Sequence, residues 1–350
     1  MRIIVLSKYN EQGSSSRYRF YNYIPYFESN AIAADFKPLL PDDYVANLYQ
    51  GKRLVVFCQQ ISAIAKRVFF LMFFIKKYDL IIIEKELLPN IPYCIEKLLL
   101  GKKRYALDFD DYIATDYKQH PLKKLFLFNK IDCLSQNAKF VTVGNNWYFD
   151  EIKSNNLIYL PTVISLAKYR HIKSGSISKD THIVWIGSPS TSKYLVLVQT
   201  VLEKLAKIYP IVFDVIGGDF DSKKMHVNAI KWESATEIVR LLDADIGIMP
   251  LEDSVWEKGK CGFKLIQYMA CGLPVVASPS PANFDIVEHD VSGYIASNEN
   301  EWYNFLEKLI VDPEKRKSFG LGGRKRVEEE YSYEVWGDRY CQIIKNSILQ

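Results

Sequence analysis

No CxxC pair occurs among the six cysteines (Cys58, Cys94, Cys133, Cys261, Cys271 and Cys341), so the spacing offers neither a zinc site nor a dithiol redox motif. They read as reduced thiols held mostly in cores, the usage of a cytosolic protein. A strong excess of one charge is missing too. The formal net charge is +4, too mild for a nucleic-acid partner, which calls for a concentrated basic face. No secretory signal is expected, because MRIIVLSKYN enters a strand pattern at once. The longest apolar run, Val68–Ile75, falls short of the ~20 residues that span a bilayer, so no membrane-crossing segment is expected. Short repeats and low-complexity tracts are absent. What remains is a globular composition, 48% hydrophobic and 25% charged. At 350 residues the default is two domains of roughly 100–200 residues each.

Short β-branched runs alternate with longer helical patterns along nearly the whole chain, the rhythm of parallel sheets with crossover helices. The first half predicts strands at Arg2–Leu6, Leu80–Ile83, Tyr105–Leu107, Phe140–Val143 and Leu157–Leu160. His171–Thr181 is polar, has no apolar periodicity and reads as a linker. A second series follows at His182–Ile186, Val212–Ile216, Ala229–Trp232, Ile246–Met249, Pro274–Ala277 and Tyr294–Ala296. Helices fit at Thr191–Tyr209, Thr236–Leu242 and Phe263–Cys271, and the tail from Glu301 is helical with interruptions at Pro313 and near Gly320–Gly323. Two such sheets in tandem predict a cleft, with ligands at the carboxyl ends of strands.

Three strand-to-helix turns suit an anion. Ser7–Arg19 leads through Gly13 and three serines into a helix carrying Arg17 and Arg19. Free N–H groups at a helix start favour negative charge, although a serine cap with surface arginines explains the same residues. Gly187–Lys193 (GSPSTSK) combines small residues with a lysine in the first helical turn, where it opposes the helix dipole unless an anion is bound. Plain capping is the alternative. In Trp256–Pro274, Lys258, Lys260 and Lys264 crowd another helix start beside Gly259 and Gly262. Three lysines there are electrostatically misplaced without an anion; otherwise they form a solvated turn.

GSPSTSKYL, FDVIGG, ADIGIMPL, GKCGFKLIQYMACGLPVVAS and HDVSGYIA, all within Ile183–Ala296, give the chain its likeness. It resembles glycosyltransferase family 4, retaining enzymes of the GT-B fold. YDLIIIEKELLP and YALDFDDYI support the first half more loosely. The resemblance implies an α/β protein of two Rossmann-like doubly wound parallel-sheet domains facing across a cleft. Residues 1–165 would bind the acceptor and 166–331 the nucleotide sugar, with a terminal helix, 332–350, returning to the first domain. It implies that Ser188 and Lys193 flank the donor diphosphate, with Lys264 a second cation, Lys260 in the same loop, and amides around Gly262 and Phe263 facing the sugar. Gly187, Gly217 and Gly218 would let the nucleotide approach, with Gly13 and Arg17 as further donor contacts. Trp232 and Glu233 lie where the family holds the base, though Trp232 equally suits a core. The family carries two glutamates eight positions apart, the second contacting ribose; Gly259 and Gln267 stand there. Gln267 still donates and accepts hydrogen bonds without a charge. The resemblance then implies either a divergent subfamily relying on the lysine-rich loop or a site that has lost activity, and Lys193 and Lys264 favour the former.

Asp108, Asp110 and Asp111 end a strand, where carboxylates can orient an acceptor hydroxyl, act as a base or bind Mg²⁺. Asp110 and Asp111 are assigned to acceptor positioning, with helix capping and structural bonding as alternatives for each. Their spacing faintly echoes DxDxT phosphatases, but about a hundred residues of α/β pattern precede them. Glu84 and Glu86 share the ambiguity. Lys66–Lys77 (KRVFFLMFFIKK) fits an anionic bilayer surface or a core helix.

The function expected is transfer of a sugar from a nucleotide-diphosphate sugar, UDP-sugar by default, to a hydroxyl of a glycan or lipid-linked acceptor, in bacterial surface polysaccharide synthesis. Lys193, Lys264 and helix N-terminal amides would stabilise the departing diphosphate. No metal and no further cofactor are expected, and the location is the cytoplasm, peripheral on the inner face of the membrane. A nucleotide-sugar epimerase on the same architecture and a catalytically silent sugar-nucleotide or partner-binding module are the alternatives.

Overall fold

The computed structural model describes residues 1–173 and 179–349, so part of the expected linker lies outside the described residues. Two compact units emerge from the contacts: residues 1–162 with 336–350, and residues 163–335.

In the N-terminal unit the strands are β1 (Arg2–Leu6), β2 (Ala33–Phe36), β3 (Leu80–Glu84), β4 (Tyr105–Phe109), β5 (Val141–Val143) and β6 (Leu157–Tyr159). They form one sheet in the order β2-β1-β3-β4-β5-β6, parallel throughout. The central strands are apolar on both faces, as a sheet covered by helices requires; Ile81, Ile82 and Ile83 are all fully buried. Strand β2 (AADF) was not visible in the sequence, because an edge strand lacking a β-branched run carries little local signal. Its register on β1 makes it a strand, Arg2 opposite Ala33 and Val5 opposite Phe36. Residues from 336 onward belong to this unit: the Tyr340 ring meets Tyr23 edge-on, and Lys345 Nζ bonds Asn30 at 2.9 Å.

The helix Arg53–Phe73 is longer than the uninterrupted apolar run suggested. At 21 residues it is long and apolar enough, by length and composition, to cross a membrane, and only 28% of its most apolar window is buried. Counting uninterrupted apolar residues missed it, because Gln59, Gln60, Lys66 and Arg67 break the run but not the helix.

The C-terminal unit holds β7 (Thr181–Ile186), β8 (Ile211–Ile216), β9 (His226–Ile230), β10 (Ile246–Met249), β11 (Val275–Ala277) and β12 (Gly293–Ile295). Their order, β12-β11-β10-β7-β8-β9, reverses direction between β7 and β10. That switch point is where open α/β sheets place ligands, outside the carboxyl ends of the strands. Here β7 and β10 pair only at Ile183–Ile246 and Val184–Gly247. Beyond that they part, and the Tyr268 hydroxyl takes up the freed Ile186 N–H at 2.9 Å. The ring fits because a Cβ at Gly247 would stand 2.5 Å from it.

The tail helices run Glu299–Val311, Pro313–Glu330 and Tyr333–Leu349. The expected break near Gly320–Gly323 is absent. Those glycines sit inside a continuous helix, where Gly320 lies against the Gly272 carbonyl and Gly323 against Met269. Close helix packing, rather than chain flexibility, accounts for them.

Candidate functional site

The C-terminal unit brings one group of expected residues together at the switch point. Gly187 follows β7, and any Cβ there would collide with the Trp185 indole and stand 2.8 Å from Lys264 Nζ. Gly217 follows β8 in the left-handed region, φ +76°, with the Gly187 carbonyl 2.5 Å and the Trp232 Cβ 2.9 Å from where a side chain would begin. Gly218 abuts Trp185 and Ser192 in the same way. The loops after β7, β8 and β9 and the helix Phe263–Ala270 therefore meet around the Trp185, Trp232 and Lys264 side chains, for which the glycines make space. Gly262 starts that helix from a left-handed conformation, φ +64°, leaving its first amides without a side-chain cap.

Lys264 is the singular charge here. Its ammonium lies 4.2 Å from the centre of the Trp185 ring, and no carboxylate among the described residues pairs with it. Burial, seconded by the like charge of Lys260, pushes it down to about 7. A cation at the start of a helix also opposes the dipole. An anion bound beside Gly187 relieves both penalties at once. The three lysines of the sequence motif do not act alike. Lys258 is paired with Asp253 at 3.1 Å, and Lys260 lies 5.7 Å from the Trp256 ring centre. Lys193 is exposed, its ammonium over the neighbouring Tyr194 ring. Ser188 spends its amide on the Thr191 hydroxyl at 3.2 Å and its own hydroxyl on Ser190, so the loop is held by its own side chains.

The departure at Gln267 acquires a physical cause. Gln267 is buried, and its amide donates to Glu237 Oε1 at 2.7 Å. Trp232 Nε1 donates to the other Glu237 oxygen at 2.6 Å. A carboxylate at 267 would face a buried carboxylate at hydrogen-bond distance, so glutamine is required once Glu237 is present. Sequence reasoning missed Glu237, because an acidic residue in a helix's first turn looks like ordinary dipole matching. Trp232 is half-buried, lies beyond the end of β9 rather than within it, and packs partly on the core. Glu233 is exposed and lines, with Lys231, Thr236 and Arg240, a hollow of about 350 Å³. Phe263 is half-buried against the same core. Glu257, another residue the sequence did not flag, is buried and takes hydrogen bonds from Tyr194 and Ser254.

The N-terminal unit carries the remaining candidates, and there the charges are matched. Arg19, expected to serve an anion, is fully buried and spends its guanidinium on Asp108 and the Leu160 carbonyl. Asp108 also accepts from Thr142 at 2.5 Å. Both are thereby structural. Asp110 is buried between Lys85, at 2.9 Å, and the Ser15 hydroxyl. Asp111 meets Lys85 at 2.7 Å and keeps 34% of its side chain exposed, so of the three aspartates it alone retains access to solvent. Lys85 sits at φ +64°. Burial lowers its charge affinity, but Asp110, Asp111 and Glu84 together hold it well above the usual lysine range. Glu84 accepts from the Lys8 amide and Ser16, with burial raising it, and Glu86 pairs with Lys130. Among the described residues no group of three His, Cys, Asp or Glu is arranged to hold a metal. Gly13 precedes the helix Ser14–Arg19 and presses on the Tyr9 side chain, so packing explains it; Arg17 stacks on Tyr18 at 4.9 Å.

Residues 180–312 match the family model described as glycosyl transferases group 1. Sucrose synthase of Solanum tuberosum is 32% identical over 88 residues, which are 23% of this chain and 11% of the synthase. The chain thus spans only about a tenth of the length of that curated relative. Among solved structures, sucrose-phosphate synthase from Thermosynechococcus elongatus superposes with a TM-score of 0.71 at 13% identity, over 99% of this chain and 98% of that one. Anabaena HepE in complex with UDP-glucose gives 0.66 at 13% identity, over 99% and 100%. The fold is that of the GT-B glycosyltransferases.

Proposed function

We propose that this chain transfers a sugar from a nucleotide-diphosphate sugar to a hydroxyl of a glycan or lipid-linked acceptor, with retention at the anomeric carbon. One observation carries the reading. Lys264 is a half-buried, largely desolvated lysine with no carboxylate partner among the described residues, set beside Gly187 and at a helix start on the switch point of the C-terminal sheet. A diphosphate supplies the missing negative charge. As the anomeric carbon–oxygen bond breaks, charge accumulates on that diphosphate, and a cation already desolvated and fixed stabilises it without reorganising. Lys193, at the mouth of the neighbouring turn, adds a second and more screened cation. Gly217 and Gly218 let Trp232 and Trp185 close in on the turn after β8, and Trp232, braced by Glu237, provides a flat face for the base. Because HepE was solved with UDP-glucose, a UDP-sugar is the first donor to try. On the N-terminal unit Asp111 is the carboxylate suited to orient an acceptor hydroxyl. Surface polysaccharide synthesis is the setting this chemistry fits.

Thermal melts against UDP-, GDP-, ADP- and CMP-sugars test it, since a ligand that binds only the folded state raises the melting temperature. One of the four is expected to stabilise the protein and then to release its nucleoside diphosphate faster when acceptor glycolipids are added. Failure of all four to shift the melt would overturn the assignment. Turnover that ignores acceptor and interconverts the sugar instead would favour an epimerase.

A further inference from the structure

The helix Arg53–Phe73 is built inside out for a protein bathed only in water. Its most polar side chain points inward: Arg67 is buried and donates to the Ser7 carbonyl at 3.1 Å and the Lys37 carbonyl at 2.9 Å. Its outer face is apolar instead, with Leu54 75%, Phe57 58% and Phe73 60% exposed, and Ile61, Phe69 and Met72 more than half exposed between them. Soluble monomers rarely display a continuous apolar strip of this length. From Tyr44 to Tyr78 the chain contains no aspartate or glutamate, but Lys52, Arg53, Lys66, Lys76 and Lys77 are exposed. The Lys103 ammonium joins the basic end, bonding the Lys76 and Tyr78 carbonyls.

We propose that this face lies in the headgroup region of an anionic lipid bilayer, phenylalanines inserted and lysines at the phosphates. An apolar strip with five exposed cations along it, its neighbouring acids Asp42 and Asp43 confined to the N-terminal half of the helix, matches such a surface in both hydrophobicity and sign. Two other occupants fit less well. A second copy meeting the same patch about a two-fold axis would bring together two rims in which the cations outnumber Asp42 and Asp43. A spanning position would require tearing Arg67 from its carbonyl partners and Phe70 and Leu71 from the core of the N-terminal unit. The helix therefore rests on the bilayer and does not cross it. This holds whether or not the donor assignment does.

Co-sedimentation of the full chain with vesicles of phosphatidylcholine alone, or with about a third phosphatidylglycerol, tests it. Partitioning is expected to be about tenfold or more stronger on the anionic vesicles and to fall about as much between low and 0.5 M salt. Phe57→Ser with Phe73→Ser, and separately Lys76→Glu with Lys77→Glu, should each abolish it while the melting temperature and its shift by nucleotide sugar persist. Those two readouts keep a failure here distinct from a failure of the donor site. Equal binding to neutral vesicles, or none to either, overturns the proposal. A dimer in lipid-free solution that the phenylalanine variants dissolve, and that vesicles do not compete away, overturns it in favour of self-association.

Discussion

The carboxyl ends of the two sheets are charged in opposite ways. In the N-terminal unit the buried charges at these strand ends are ion-paired: Arg19 faces Asp108, Lys85 faces Asp110 and Asp111, and Lys130 faces Glu86 and Glu96, while the buried Arg67 is held by the Ser7 and Lys37 carbonyls. In the C-terminal unit Lys264 is half-buried over an indole face with a second lysine nearby, and no carboxylate among the described residues pairs with it. A neutralised cluster has spent its electrostatic energy on the fold. A buried cation left alone costs stability, and that cost is recovered only when an anion arrives. On the proposed function, the difference separates residues that hold a unit together from one that would meet a diphosphate.

The comparison is broken most sharply by Arg19→Met. It strands Asp108 as an uncompensated buried charge and should destabilise the protein by about 3–5 kcal/mol, read by denaturant unfolding, while the folded remainder keeps its affinity for nucleotide sugar. Lys264→Met is the converse. Transfer should drop about 10²–10³-fold, the loss typical of one preorganised charge-stabilising donor, while the melting temperature of the ligand-free protein rises. If Lys264→Met instead lowers stability and spares kcat, the contrast between the units collapses.

Gln267→Glu brings two carboxylates together in the C-terminal unit and should cost about 1.5–3 kcal/mol, the value of a hydrogen bond to a charged group. Adding Glu237→Gln should recover most of the melting temperature, because one amide and one carboxylate again face each other. The smallest effect is pH dependence. Free Lys264 titrates at about 7, whereas anion binding raises that value, so above pH 7 binding takes up a proton. The Kd for nucleotide sugar should therefore weaken about tenfold per pH unit above 7, about 1.4 kcal/mol each, and be flat in this respect below it. Calorimetry in buffers of different ionisation enthalpy would count the proton directly.

Much of this was legible in the residues. Strands such as LIIIE and IVFDVI carry enough buried β-branched side chains to declare themselves, and the glycines of GSPSTSK and VIGG mark turns where the backbone must approach something closely. Arg19 and Lys264 looked equivalent as cations at strand-to-helix turns. Their difference depends on partners 89 residues away in one case and on an absence of partners in the other. Likewise Gln267 read as a loss until Glu237, 30 positions upstream, appeared against it.

Local composition by itself determined that the chain alternates strands and helices in two series and which turns carry small residues and cations, because alternation of apolar runs with helical periods is a property of neighbours in sequence. Tertiary structure alone decided which charges are spent and which are free, and which face of the Arg53–Phe73 helix looks outward. Burial and ion pairing join residues that the chain brings together only by folding, and in a medium of low dielectric the presence or absence of one such partner governs what a side chain can do.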